Sequence, residues 1–159
     1  MIVLGIDPGL SGALALLDSE MNSLTIWDMP VVEVVRNRVK KREVNAAGVA
    51  DIIAGHGIEH CYMERVGAMP GQGVTSVFSF GRSTGILEGV LAAYEIPVTI
   101  ITPQAWQKAA GVRDGKDASR LRAAQLFPVY SAMFGRKKDD GRADAALIAW
   151  YAANQSRKE

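Results

Sequence analysis

Three acidic side chains stand at positions that the surrounding sequence would otherwise bury. Asp7 ends the apolar run IVLGI, Glu64 ends the strand-like segment HCYME, and Asp144 lies among the apolar residues of DAALIAWYAA. A carboxylate in apolar surroundings is costly unless it is paired or binds a cation. The pattern favours a functional site, although Asp7 can also close an Asx turn with the following Pro-Gly, and Glu64 can pair with Arg65.

The residue types indicate which chemistry such a site would support. Carboxylate oxygens are preferred ligands of hard cations such as Mg²⁺ and Mn²⁺. Three or four converging acids can hold two ions roughly 3.5–4 Å apart, one activating a water and the other stabilising the departing oxygen of a phosphodiester. Asp7, from the expected central strand, would bridge the ions, with Glu64 and Asp144 on either side. The acids therefore predict metal-dependent phosphoryl transfer.

A fourth acid is available near Asp144. Asp140 precedes it by four residues, which places the two side chains roughly 40° apart on one helical face, whereas Asp139 would point away. Asp140 can serve as a fourth metal ligand or as the cap of the helix, a role that Asp favours. The sequence leaves both alternatives open.

Basic residues occur in local clusters that suit a phosphate backbone. Lys116, and with less support Lys108, can neutralise charge on the scissile phosphate or be a solvated surface residue. The densest cluster, RNRVKKR at 36–42, is either a DNA-binding segment or a solvated mobile loop. The loop after Glu64 carries Met69, a candidate wedge between DNA strands. The predicted DNA-contacting residues are Arg36, Arg38, Lys40, Lys41, Arg42, Met69, Lys108 and Arg113.

Composition limits the range of possible functions. The 159 residues are 48% hydrophobic and carry a net charge of +1, so a single domain spanning 1–159 with a substantial core is expected. The net charge fits a nuclease, because catalytic acids offset basic surface residues in the sum. The lone Cys61 excludes an internal disulfide. Apolar stretches are too short for a membrane span, and a soluble cytoplasmic protein is expected.

The hydrophobic pattern predicts an α/β fold. Three short strands joined by tight turns form an antiparallel meander, and later strands alternate with crossover helices, which together give a mixed sheet flanked by helices. A stripe of Gly81, Gly85 and Gly89 in one helix would allow close approach to the sheet or to a second subunit. The strands are expected at 2–7, 12–18, 23–29, 59–66 and 97–101, and the helices at about 44–55, 74–95, 103–110, 117–127 and 142–155.

Taken in order, several motifs resemble one known family. GIDPG, MERV and ADAALIA, together with TPQAWQKAAGV and GKDASRLRAAQLFP, are similar to segments of the RuvC family of Holliday-junction resolvases in the ribonuclease H-like superfamily. The resemblance covers nearly the whole chain. It implies a five-stranded mixed sheet flanked by helices, and a homodimer that cleaves four-way DNA junctions with Mg²⁺ and leaves 5′-phosphate products. The short form is similar to resolvases of bacteriophages, which implies the cytoplasm of a bacterial or phage-infected cell.

The chain departs from the family pattern at two places. Typical members carry two acids three residues apart on the last helix, whereas Gly141 stands at the earlier position here. They also carry an aromatic residue shortly after the glutamate, where this chain continues VGAMP. Two other functions compete: a non-catalytic module that binds branched DNA, and a fragment of an actin-like ATPase or sugar kinase, whose first phosphate loop DPGLSG resembles.

Overall fold

The computed structural model describes residues 1–155, which form a five-stranded sheet, a separate two-stranded hairpin and helices on both sheet faces. Asn45 caps the first helix by accepting a hydrogen bond from the Gly48 N–H. The strands are β1 Ile2–Asp7, β2 Ala13–Asp18, β3 Ser23–Asp28, β4 Val31–Arg36, β5 Val39–Val44, β6 His60–Glu64 and β7 Val98–Ile101. The α-helices are α1 Ala46–Ile53, α2 Val74–Ala93, α3 Pro103–Ala110, α4 Ala118–Leu126 and α5 Asp140–Gln155, and 3-10 turns cover Pro128–Phe134 and Lys137–Asp139.

The main sheet has the strand order β3-β2-β1-β6-β7 and confirms the predicted mixed topology. β1, β2 and β3 pair antiparallel, whereas β6 pairs parallel with both β1 and β7. The α5 helix packs on one face and α1 and α2 pack on the other, so each face covers its own hydrophobic cluster. In residues 1–155, no helix is both long and apolar enough to cross a membrane.

Alternation along the strands decides which side chains face α5. Leu4 and Ile6 of β1 belong to the cluster under α1 and α2, whereas Val3 belongs to the cluster under α5. By the two-residue period of a strand, Asp7 shares the α5 face with Val3. In β6, the Tyr62 ring contacts the Tyr151 ring of α5, so Glu64 also belongs to the α5 face.

Two glycines let α5 approach the sheet at backbone distance. A Cβ atom at Gly5 would lie 2.3 Å from the carbonyl oxygen of Ala145, and one at Gly141 would lie 2.4 Å from the carbonyl oxygen of Ser11. Since real Cβ atoms do not make such contacts, neither position accepts a side chain without movement of the backbone. The two contacts fix the height of α5 above β1 and the turn that follows it.

The basic segment 36–42 lies in the hairpin β4–β5, so its interpretation as a loop is wrong. The two strands pair over six residues each, and the turn residues Asn37 and Arg38 have φ angles of 51° and 62°. Positive φ at both central residues is typical of a two-residue type I′ turn, which suits asparagine and is rare for arginine.

The glycine stripe of α2 does not contact the sheet. Nothing lies within 4 Å of a Cβ atom built at Gly81, Gly85 or Gly89. The sheet was one of two expected partners for this stripe, and the structure shows that this alternative is wrong.

Candidate active site

The carboxyl ends of β1 and β6 bring two of the predicted acids together. Ile6 pairs with Met63 in parallel register, so the following residues, Asp7 and Glu64, end neighbouring strands. Their backbones are separated by about one strand spacing of 4.8 Å, and both side chains belong to the α5 face. Asp144 precedes Ala145, which packs directly on Gly5 of β1. All three acids therefore meet at one edge of the sheet.

Asp7 has both of the features that the sequence offered as alternatives. The Gly9 N–H donates a hydrogen bond to its Oδ1 at 3.3 Å, as in an Asx turn. The carboxyl group is nevertheless largely withdrawn from water, and this desolvation raises its pKa, while the Gly9 N–H opposes the rise. The turn holds the side chain without removing its capacity to bind a cation.

Glu64 has a partner that the sequence analysis did not assign. The indole Nε1–H of Trp106, a residue with no solvent exposure, donates a hydrogen bond to Glu64 Oε2 at 2.7 Å. Burial raises the pKa of Glu64, the indole lowers it, and the nearby negative charge of Asp7 raises it. The available signal was general: a buried tryptophan N–H requires an acceptor.

Asp144 is the most perturbed of the three acids. Burial raises its pKa to about 7; the Ser119 hydroxyl acts in the opposite direction, and the charges of Asp7, Glu64 and Asp140 add to the rise. Its Oδ1 atom is buried and has no hydrogen-bond partner within the described residues. The charge of Asp7 thus acts on both Glu64 and Asp144, which fits acids that face a common space.

The residues present fit a hard divalent cation by their donor chemistry. The facing groups are oxygen donors, and the unpartnered Asp144 Oδ1 is a buried acceptor of the kind that a cation would satisfy. Among residues 1–155, no three acidic, histidine or cysteine side chains are gathered tightly enough to hold one ion as they stand. Like charges favour separation or protonation over close approach.

The acids at the start of α5 have different partners. Asp140 Oδ1 accepts a 2.7 Å hydrogen bond from Arg120 Nε, and the side chain is half exposed. Asp139 is 1% exposed and pairs with Arg136 and Arg142. The assignment of Asp140 as a fourth ligand stays a prediction. It would require the carboxylate to bind a cation and Arg120 at the same time.

The departure at Gly141 has a steric explanation. A Cβ atom there would lie 2.4 Å from the Ser11 carbonyl oxygen and 2.8 Å from the Gly12 Cα. An aspartate at this position would collide with the turn that follows Asp7. The family's usual acid is therefore incompatible with this packing.

The predicted phosphate-binding residues lie around the acids on exposed segments. Lys108, Arg113 and Lys116 are exposed, and Arg113 and Lys116 line an open groove of about 690 Å³. Ser119 follows Lys116 by three residues, and its hydroxyl lowers the pKa of Asp144. Met69 is 71% exposed in the loop beyond Glu64. The roles of these residues stay predictions.

Two of the basic residues of the hairpin are engaged in ion pairs. Arg36 pairs with Glu43 at 2.8 Å, and Glu43 also pairs with Arg82 of α2 at 2.9 Å. Lys40 pairs with Glu33 at 3.2 Å. The remaining cationic residues of the hairpin are Arg38 at the turn, and Lys41 and Arg42 on β5.

Comparison with known proteins identifies the family. Residues 3–149 match the sequence profile of the family described as crossover junction endodeoxyribonuclease RuvC. The chain belongs to the RuvC family. The family is one of nucleases, and the predicted resemblance is confirmed.

The chain is also similar to individual proteins. A chloroplastic Holliday junction resolvase of Chlamydomonas reinhardtii is 27% identical over 85% of this chain, which spans only 18% of that relative. T. thermophilus RuvC in complex with a Holliday junction substrate superimposes with a TM-score of 0.68 at 17% identity, over 99% of this chain and 96% of that one. The fowlpox virus Holliday junction resolvase gives 0.50 at 15% identity, over 98% and 99%. These structural likenesses confirm the fold.

Proposed function

We propose that this protein is a metal-dependent endonuclease that resolves four-way DNA junctions, and other branched DNA, by paired hydrolysis of phosphodiester bonds. The observation that carries the proposal is the convergence of Asp7, Glu64 and Asp144 at one sheet edge, where burial raises the pKa of each acid and one buried oxygen has no partner among the described residues. Membership of the RuvC family and the names of the relatives give the substrate class.

The three carboxylates would hold the cation or cations, with Mg²⁺ or Mn²⁺ as the favoured metals. When bound, such ions would lower the pKa of a water and neutralise charge on the departing oxygen. The chain's own contribution is orientation: the Gly9 N–H fixes Asp7, the Trp106 indole fixes Glu64, and the Ser119 hydroxyl acts on Asp144. Lys116 would approach the scissile phosphate from the exposed loop before α4.

A homodimer would suit a substrate with two-fold symmetry, because it supplies two sites for paired cuts. Support comes from α2, where Val74, Phe78 and Phe80 of the first half are exposed and the glycine stripe that follows is open. A strictly monomeric protein at micromolar concentration by light scattering would argue against this assembly.

The function is tested with a labelled four-way junction, alongside forks, flaps and linear duplex, in Mg²⁺, Mn²⁺ or Ca²⁺. Wild-type protein should cut the junction in Mg²⁺, and Ca²⁺ should support binding without cleavage, since its coordination is longer and looser. Asp7→Asn should reduce cleavage at least about 100-fold with binding retained. Asp51→Asn, at an exposed position of α1, is the matched control and should cut normally.

The same experiment separates the competing functions. A non-catalytic module would bind the junction and cut nothing in any metal. A phosphate-loop ATPase or kinase fragment would turn over ATP, which is measured in parallel. Near wild-type cleavage by Asp7→Asn would show that the assigned site is wrong.

A further inference from the structure

A second charged site lies beside the carboxylates. An open pocket of about 400 Å³, which we call the arginine pocket, is lined by four cationic side chains: Arg42 from β5, Arg136 and Lys138 from the turn before α5, and Arg142 from α5. Ser11 and Gly12, from the turn after β1, form part of its wall. With Asp28, Met29 and Val31 around the end of β3, four separate regions of the chain contribute to the pocket.

Two acids hold the guanidinium groups in place. Asp139, 1% exposed, accepts hydrogen bonds from the backbone N–H and the guanidinium of Arg136, at 2.8 Å and 2.9 Å. Asp28 accepts two bonds from Arg142, at 2.7 Å and 2.8 Å. The arginines lower the pKa of both acids, which are therefore ionised at neutral pH. Fixed guanidinium groups bind anions at a lower entropic cost than free ones.

The pocket carries surplus positive charge. Its four cations face two acids, Asp28 and Asp139, which leaves a net charge of two positive units. Arg136 is 55% exposed and directs one edge of its guanidinium at Asp139, so its remaining N–H groups are available to solvent. This combination fits an oxyanion of the size of a phosphate better than an apolar or cationic ligand.

The pocket lies on the same sheet edge as the acids. Asp28 pairs with Ala13, and Ala13 pairs with Asp7, so Asp28 and Asp7 stand two strand spacings apart, about 10 Å. Gly12 also packs against the backbone of Asp7. A DNA strand that places one phosphate at the acids would bring another phosphate, a few nucleotides away, to the pocket.

We propose that the arginine pocket binds a backbone phosphodiester of the junction, a few nucleotides from the cleaved bond, and thereby sets the register of the strand in the active site. Arg136 and Lys138 make the contact, and Asp139 is a positioning residue for Arg136. The inference rests on the proposed function for the identity of the ligand.

The experiment compares neighbouring lysines that differ in their relation to the pocket. Lys138 lines it, whereas Lys137, on the same exposed turn, is not among its lining residues. Junction affinity is measured in Ca²⁺ at several salt concentrations for wild type, Lys138→Gln, Arg136→Gln and Lys137→Gln. Each pocket variant should reduce the salt slope by about one and weaken binding roughly five- to tenfold, with less than half of that for Lys137→Gln. Cleavage sites are mapped in Mg²⁺, and the pocket variants should shift or broaden them.

The outcomes are distinguishable. Equal effects of Lys137→Gln and Lys138→Gln would indicate a general electrostatic attraction and overturn the proposal that the pocket binds a phosphate. An unchanged salt slope in a folded Arg136→Gln protein would also overturn it. If Arg136→Gln does not fold, as judged by circular dichroism, the two lysine variants decide. Wild-type protein that binds junctions without cutting them overturns the proposed function alone, and the slopes still judge the pocket. Wild-type protein that binds no DNA overturns both.

Discussion

The helices α5 and α2 are both long, yet they pack in opposite ways. Nine residues of the sixteen-residue α5 are buried, and Gly5 and Gly141 mark points of backbone contact beneath it. Only Ser83, Leu87 and Leu91 are buried in the twenty residues of α2, and its three glycines face open space. The α5 helix is thus fixed by the sheet, whereas the first half of α2 presents an apolar surface without a partner among the described residues.

The difference fits the function that we propose. A metal site would need Asp144 held over Asp7 and Glu64, and small residues packed on β1 fix its height without adjustable side chains between them. An acid held this rigidly among apolar neighbours raises the energy of the metal-free protein. The α2 helix carries none of the three acids, and its exposed half is suited to contacts with another molecule.

The largest expected effect comes from replacing a glycine under α5 by alanine and comparing it with the same change on α2. Gly5→Ala should lower the free energy of unfolding by about 3 kcal/mol and abolish cleavage, because the added methyl group displaces α5. Gly85→Ala, on the open face of α2, should raise the free energy of unfolding by about 1 kcal/mol, because alanine favours helix. Both are measured by urea unfolding at low protein concentration. Equal destabilisation by the two changes would refute the contrast.

The second prediction concerns stability against pH in the absence of metal. The folded pKa of Asp144, about 7, exceeds the unfolded value of 3.8. Between these values the folded state holds a proton that the unfolded state has released, so this contribution to stability falls as pH rises from about 4 to about 7, by a few kcal/mol. Wild type in EDTA should unfold at lower urea concentration at pH 8 than at pH 5. Asp144→Asn should remove most of that difference. If the pH dependence of the variant equals that of the wild type, its attribution to Asp144 is wrong.

The third prediction tests the indole that orients Glu64. Trp106→Phe removes an N–H that lowers the pKa of Glu64, so this carboxyl should stay protonated to higher pH. Cleavage at neutral pH should fall roughly tenfold, and the acidic limb of the pH-rate profile should move to higher pH. Trp150→Phe, at a half-buried position of α5, is the matched control. If the cleavage rate falls by the same factor at every pH, the change has disturbed packing rather than the pKa of Glu64.

The smallest expected effect belongs to Asp140. If it is the fourth ligand, Asp140→Asn should raise the Mg²⁺ concentration for half-maximal cleavage by about three- to tenfold. Asp117→Asn is the control, because Asp117 is the other acid paired with Arg120. Asp117→Asn should leave the Mg²⁺ requirement unchanged. Equal behaviour of the two variants would mean that Asp140 serves only Arg120.

Local patterns predicted much of the architecture. Apolar runs located the five strands of the main sheet within a few residues. The helical spacing and alanine-rich composition of α5 indicated that Asp144 points inward. These inferences succeeded because each depends on residues that are close in sequence.

The features that the sequence did not predict involve either contacts between distant residues or charged segments that were interpreted wrongly. The run VVEVVR before Asn37 is rich in valine, which favours a strand, but the basic residues after it were interpreted only as a DNA-binding segment or a mobile loop, so the hairpin was missed. The bond from Trp106 to Glu64 joins residues 42 positions apart. The ion pairs of Asp139 with Arg136 and Arg142 are local, since each partner is three residues away, and this charge pattern was not used.

The contact between Gly141 and the turn after β1 also constrains how such a sequence can evolve. A single codon change to an acid at position 141 would be rejected, because the Ser11 and Gly12 backbone already fills the space. Relatives with a side chain at this position must therefore carry a compensating change in the turn. Positions 11, 12 and 141 should covary as one unit across homologues, and the number of acids on the last helix should be inherited together with the shape of that turn.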